Sequence, residues 1–239
     1  MGGFDLGALD AESWRLILAG LVVTCKLAAV SLFFASLVGI VVGTARWADL
    51  PVLRQLMWLY VEIARNTPPL VQILFWYFSA SVLLPEWAFL PLRDAGYEFS
   101  AAALALSLYH GAFMGEVFRA GLNSINAGQF QAARALGMNF WQLMTRIVAP
   151  QVARIAAPPM VNEAVALVKS TSLALAIGLA ELTYQYKHID NFMFRGVEAL
   201  VVVTAIYLTL CLILSQFGRL LAIRLSRTRA TRDSVQSAT

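Results

Sequence analysis

Glu62, Glu116 and Glu163 each lie in or beside a long apolar run, and Lys169 follows Glu163 within the same run. A charge at the middle of a bilayer costs at least ~2.5–3.5 kcal/mol on insertion scales, so such groups mark partners, water-filled paths or ligands. Glu163 and Ser170 share a helical face, and Asn162 and Lys169 form the adjacent stripe. The Glu163–Lys169 spacing argues against a direct pair within one straight helix, so each needs a partner elsewhere. Ser170, Thr171 and Ser172 carry hydroxyls that divert backbone hydrogen bonds and loosen a helix. Gln72, just beyond the Pro68-Pro69 break, is placed to face the same interior. Glu62-x-x-Arg65 and Glu116-x-x-Arg119 allow ion pairs within each helix. They equally allow a cross-helix brace of Glu62 with Arg119 and Glu116 with Arg65. No nucleophile–base pair or carboxylate dyad occurs, so no catalytic residue is assigned. His110 and His188 offer no facing pair for haem or metal, and His110 is expected to bond a neighbouring backbone.

These groups need a scaffold of membrane helices. Of 239 residues, 59% are hydrophobic and 13% charged, against about 25% charged in an ordinary soluble domain. Such a chain has too little polar surface to face water. Crossing ~30 Å of hydrocarbon takes ~20 apolar residues, and five stretches qualify: about 16–45, 56–84, 99–118, 155–180 and 199–218. The fold class is therefore all-α and polytopic, with about five transmembrane helices. The first stretch is too long for a secretory leader, and its flank is acidic at Asp5, Asp10 and Glu12. With the N-terminus outside, eleven arginines fall in cytoplasmic segments, among them Arg46, Arg54, Arg119, Arg146 and Arg219. Only Arg15, Arg93, Lys187 and Arg195 then lie outside, which is the bias of the positive-inside rule and leaves the C-terminus in the cytoplasm. The net charge of +4 thus reflects topology rather than nucleic-acid binding. Cys25 and Cys211 sit in apolar runs as small hydrophobes. Residues 1–222 form one transmembrane domain, and the basic tail 223–239 reads as disordered.

The cytoplasmic segment of about 119–154 is more than a linker. A helical stretch, a turn at Gly137, a second amphipathic stretch over 140–148 and Pro150 make an appendage suited to docking another protein. Gln131-Ala132-Ala133, three residues, Gly137, nine residues, Ile147, one residue, then Ala149-Pro150 resembles the EAA loop of ABC importer permeases. Gln131 replaces the usual Glu and Ala149 the usual Leu. Tyr60–Pro68 with Leu70-Val71-Gln72, Glu116-x-x-Arg119 before Gly128-Gln129, and Asn162-Glu163 before Leu167–Leu173 look like signatures of the polar amino-acid branch. Thr24 and Lys26-Leu27 agree with its first helix.

The resemblance spans about residues 15–220. It implies the type I importer fold in the bacterial inner membrane, with a second permease subunit, an ATP-binding cassette ATPase dimer and an extracytoplasmic substrate-binding protein. It implies that Gln131, Ala132, Ala133, Gly137 and Pro150 couple to the ATPase. Glu163, Asn162, Ser170, Thr171, Ser172 and Gln72 would meet a polar amino acid. From their spacing, and not from the resemblance, Glu62, Arg65, Glu116 and Arg119 are expected to brace the cytoplasmic gate. ATP and magnesium would belong to the partner. In this chain, Lys26, Lys169 and Lys187 follow Cys25, Val168 and Tyr186, never the glycine a P-loop requires. A proton- or sodium-coupled carrier is the alternative, resting on the three carboxylates, yet no internal repeat is seen.

Overall fold

A computed structural model describes residues 9–48 and 50–236, with side chains described to residue 220. Asp5 and residues 237–239, used above for topology and tail, lie outside the described residues, as does Asp49. The described residues form ten helices: α1 (Ala11–Trp47), α2 (Pro51–Asn66), α3 (Pro69–Leu83), α4 (Glu86–Asp94), α5 (Tyr97–Asn123), α6 (Ala127–Ala135), α7 (Phe140–Leu143), α8 (Ala149–Ser170), α9 (Leu182–Met193) and α10 (Gly196–Gln236). Four helical stretches are long and apolar enough to cross a bilayer: Ala11–Trp47, Tyr97–Asn123, Phe140–Ile177 and Gly196–Leu220. The fifth expected span is divided into α2 and the short apolar α3.

That division follows from Pro68 and Pro69, which supply no backbone N–H to the preceding turn. The orphaned carbonyl of Ala64 is taken instead by the Gln72 side-chain amide at 2.8 Å, which also donates to the Thr67 carbonyl at 3.3 Å. Thr67 Oγ1 and Asn66 Nδ2 donate to the carbonyls of Ile63 and Glu62, both at 2.8 Å. The break is thus a closed hydrogen-bonded joint.

α5 is the centre of the bundle. Its buried face is built from small residues, Ala101, Ala102, Ala105, Ser107, Gly111, Ala112 and Gly115, with Leu106 and Met114. α1 runs along it in close backbone approach. A Cβ at Gly39 would lie 2.7 Å from Met114 Cβ, one at Gly43 2.7 Å from Phe118 Cβ, and one at Gly111 2.6 Å from Val38 Cγ1. Small residues four apart on both helices permit this contact, where lipid itself offers no hydrophobic drive for association.

The fourth span departs from the expected outline. The amphipathic stretch was expected to end at Pro150, but Phe140 continues through a π-turn at Met144–Val148 directly into α8. The Ala149 N–H bonds Met144 O across this widened turn. Pro150, the second residue of α8, has no N–H to return to the preceding turn, and it follows directly on the stretch of π pitch. At the other end, α8 tightens into a 3₁₀ stretch, Thr171–Ile177, stopped by Gly178 at φ 81°. The connections between α3 and α5 and between α8 and α10 contain the further helices α4 and α9. The helical backbone of α10 also runs through residues 223–236, where a disordered tail was expected. That segment contains neither Gly nor Pro to interrupt it.

Candidate functional site

Glu163 reaches its partner across the bundle. His110 Nδ1 of α5 lies 2.5 Å from Glu163 Oε1 of α8, with His110 only 1% exposed and Glu163 18% exposed. The backbone partner expected for His110 is therefore replaced by a carboxylate, because α5 and α8 pack with these two side chains in register. His110 Nε2 is buried without a hydrogen-bond partner. Tyr109 packs against the His110 ring edge-on at 5.0 Å. A carboxylate held by one ring nitrogen and still partly open retains an oxygen with which to accept an N–H donor.

The neighbouring polar residues divide into two groups. Asn162 and Lys169 are exposed on the bundle surface, while Ser170 is half-buried and Thr171 buried. Ser170 Oγ donates to Ala166 O at 3.0 Å, Thr171 Oγ1 to Val168 O and Ser172 Oγ to Lys169 O, both at 2.7 Å. All three hydroxyl protons are spent on the helix as it changes pitch, leaving their oxygens as acceptors. Gln72, expected to face the same interior, has its amide nitrogen committed to the α2–α3 joint. It lies instead on a groove with Tyr60, Phe75 and Trp76.

The expected cross-helix brace is not formed. Glu62 accepts from Asn66 Nδ2 at 3.1 Å, and the Arg65 guanidinium sits 5.1 Å from the Phe113 ring centroid. Glu116 does pair with Arg119 within α5, at 2.8 Å. Its cross-helix partner is Arg46 of α1, not Arg65. The glycine contacts bring the last turn of α1 against α5, which puts Arg46 within reach. The spacing Gly39-x3-Gly43 and Gly111-x3-Gly115 is the signal in the sequence that could have found this pair.

The appendage holds the residues expected to couple to an ATPase in two environments. Gly137, at φ 74°, closes α6 with Gly137 N–H to Arg134 O and Met138 N–H to Ala133 O, the pattern of a Schellman motif. Ala133 is buried in a cluster with Leu122, Leu143 and Val148, so it seats α6 on the bundle. Gln131, Ala132, Gly137 and Pro150 are exposed. Asn139 and Gln142 form a reciprocal capping box that starts α7. Leu136, Phe140 and Trp141 project beyond the turn at 81%, 60% and 74% exposure, an apolar tip that reading the motif alone did not single out.

Glu181 was also missed. Its fully buried carboxylate caps α9, accepting from Thr183 N and Tyr184 N, and takes the Tyr207 hydroxyl, each at 2.8 Å. Leu182 N donates to Thr24 Oγ1 at 3.1 Å, tying the same turn to α1. An acid directly before an amphipathic stretch is a helix-capping signal that the sequence does contain.

Residues 35–227 match the family described as binding-protein-dependent transport system inner membrane component. The probable glutamine ABC transporter permease protein GlnP of Bacillus subtilis is 36% identical over 187 residues, covering 78% of this chain and 81% of that protein. The probable amino-acid ABC transporter permease protein PatM of Vibrio harveyi is 34% identical over 214 residues, 90% of this chain and 93% of the relative. Among solved structures, an amino acid ABC transporter crystallised with histidines superposes with a TM-score of 0.79 at 26% identity, covering 93% of this chain and 100% of that one. The inward-facing methionine ABC transporter MetNI shares the fold, with a TM-score of 0.74 at 18% identity. The chain, a multi-pass membrane protein, belongs to the family of binding-protein-dependent transport system inner membrane components.

Proposed function

We propose that this chain is the permease subunit of an ATP-driven importer for polar amino acids in a bacterial inner membrane. Substrate would arrive from an extracytoplasmic binding protein, and the energy from a separate ATPase dimer that holds ATP and magnesium. A second permease subunit, a copy or a sister chain, completes the path. The observation that carries this reading is the appendage: an exposed apolar tip of Leu136, Phe140 and Trp141, set by the left-handed Gly137, in a segment with importer spacing. Membership in a binding-protein-dependent family favours this reading over an ion-coupled carrier.

Within the path, Glu163 is the group that meets the ammonium or cationic side chain of the substrate. Its support is a carboxylate held by His110 that stays partly exposed. Uptake of radiolabelled amino acids by vesicles carrying the assembled transporter tests both parts. Glu163→Gln is expected to weaken uptake or shift selectivity while ATP hydrolysis persists. Trp141→Asp is expected to abolish ATPase capture while the chain remains in the membrane. Wild-type kinetics and selectivity in Glu163→Gln remove that residue from the pocket, and full ATPase capture by Trp141→Asp removes the tip from the docking surface.

A further inference from the structure

The end of the bundle that carries α6 has a second polar site, unconnected to Glu163. A cavity of about 570 Å³ lies between the last turn of α1, the first two turns of α2 and the last turn of α5. Its lining residues include Arg46, Arg54 and Arg119, together with Trp47, Trp58 and Asn123. Arg54 and Trp58 are four apart on α2 and so stand on one face.

The charge here is unbalanced. Arg46 and Arg119 share the single carboxylate of Glu116, and no described carboxylate lies within ion-pair distance of Arg54. Glu62 and Arg65, one negative and one positive, add no net formal charge to the surroundings of Arg46. Asp49 lies outside the described residues, and even counted in full it leaves one positive charge in excess. Arg46 Nε is buried and has no hydrogen-bond partner. Guanidinium groups converging with spare N–H donors form an oxyanion site, and the fork of Arg matches phosphate oxygens better than a point charge would.

We propose that this cavity binds a phosphate group, and that its source is the headgroup of an anionic glycerophospholipid. Two observations favour a lipid over free phosphate. Trp47 and Trp58 flank the arginines, and indoles settle at the headgroup level of bilayers. The same stretch of α2 exposes Val52, Leu56 and Leu59 at 74%, 55% and 48%, surface that acyl chains cover. The site also touches the coupling appendage, because the Trp47 ring stacks on Phe130 of α6 at 6.1 Å. A headgroup seated here therefore packs against the residue that backs α6.

The full-length chain, purified with the partners it retains, is reconstituted into nanodiscs of phosphatidylcholine. Brominated phosphatidylglycerol or brominated phosphatidylcholine is then titrated in while tryptophan quenching is followed. Subtracting the Trp47→Phe/Trp58→Phe variant isolates these two indoles from all others. Phosphatidylglycerol is expected to quench with several-fold higher affinity than phosphatidylcholine. Arg54→Gln, on an exposed position, should reduce that preference about fivefold, from the worth of one arginine near an anionic headgroup. Asn123→Asp, which places a carboxylate in the cavity, should reduce it independently. Relief of quenching by millimolar inorganic phosphate overturns the lipid assignment in favour of free phosphate. Equal quenching by the two lipids, or a preference that survives both substitutions, overturns the site itself.

Discussion

Gly111→Val tests whether the α1–α5 contact organises the bundle. The first carbon added at Gly111 would stand 2.6 Å from Val38 Cγ1, 2.8 Å from Val38 Cβ and 3.3 Å from the Ala35 carbonyl. Carbon atoms rest at ~3.5–4.0 Å, so α1 must withdraw by about 1 Å even before the two methyl groups of valine are placed. Val38 gives little relief, because a β-branched side chain in a helix has one strongly preferred rotamer. Overpacking of this kind costs ~1–3 kcal/mol, and three added carbons put the variant near the upper end. The helix propensity of valine over glycine returns only a few tenths of a kcal/mol. The net loss of ~2–3 kcal/mol corresponds to a roughly 30–150-fold drop in the folding constant. Reversible unfolding of the purified chain in mixed micelles, titrated with sodium dodecyl sulfate, measures it directly. The reversed pair Val38→Gly/Gly111→Val restores the space, and the cycle should show a coupling of at least ~1 kcal/mol. A Gly111→Val chain as stable as the parent, or a cycle that is strictly additive, would refute this account of the interface.

Other outcomes follow from the same geometry. Gly137→Val places a β-branched residue at φ 74°, a strain of ~1–2 kcal/mol, and should leave the chain inserted while ATPase capture from detergent extracts falls several-fold. Arg46→Gln removes one of two cations from Glu116; thermal unfolding should occur several degrees lower, and additional Glu116→Gln should cost less in that background than alone. Cysteines placed at Asp94 and Asp190 should react with impermeant reagents from outside, and one at Asn139 only in inverted vesicles.

Four of the five expected spans were legible because crossing a bilayer demands long apolar runs; α1 and α5 match theirs closely, whereas α10 continues well past the expected end near 218. Composition could not show that α2 and α3 are separate helices held by Gln72, although Pro68-Pro69 marked the place. The role of Gln72 as a joint depends on which carbonyls the prolines leave unpaired, and that accounting is visible only once the backbone is in place. Glu163 was legible as a buried charge needing a partner, but the partner lay 53 residues away in His110. No local spacing encodes the register between α5 and α8. The same limit explains the misassigned brace: Glu116-x-x-Arg119 was readable within one helix, whereas Arg46 required knowing which helix lies beside it. At the appendage, Gly137 was found from its spacing, while the burial of Ala133 reflects packing beneath α6.

The length of α1 has a consequence for the surrounding lipid. At 37 residues and ~1.5 Å per residue it measures about 55 Å, nearly twice the ~30 Å hydrocarbon slab. A free helix of that length relieves the mismatch by tilting on its own. α1 lacks that freedom, because glycine contacts lock it to α5, Arg46 is tied to Glu116, and Thr24 is tied to the turn before α9. Any change in bilayer thickness is therefore transmitted to α5, and through His110 to the carboxylate on α8. Transport by this protein should accordingly depend on acyl-chain length, with an optimum in one thickness of membrane and a fall on either side.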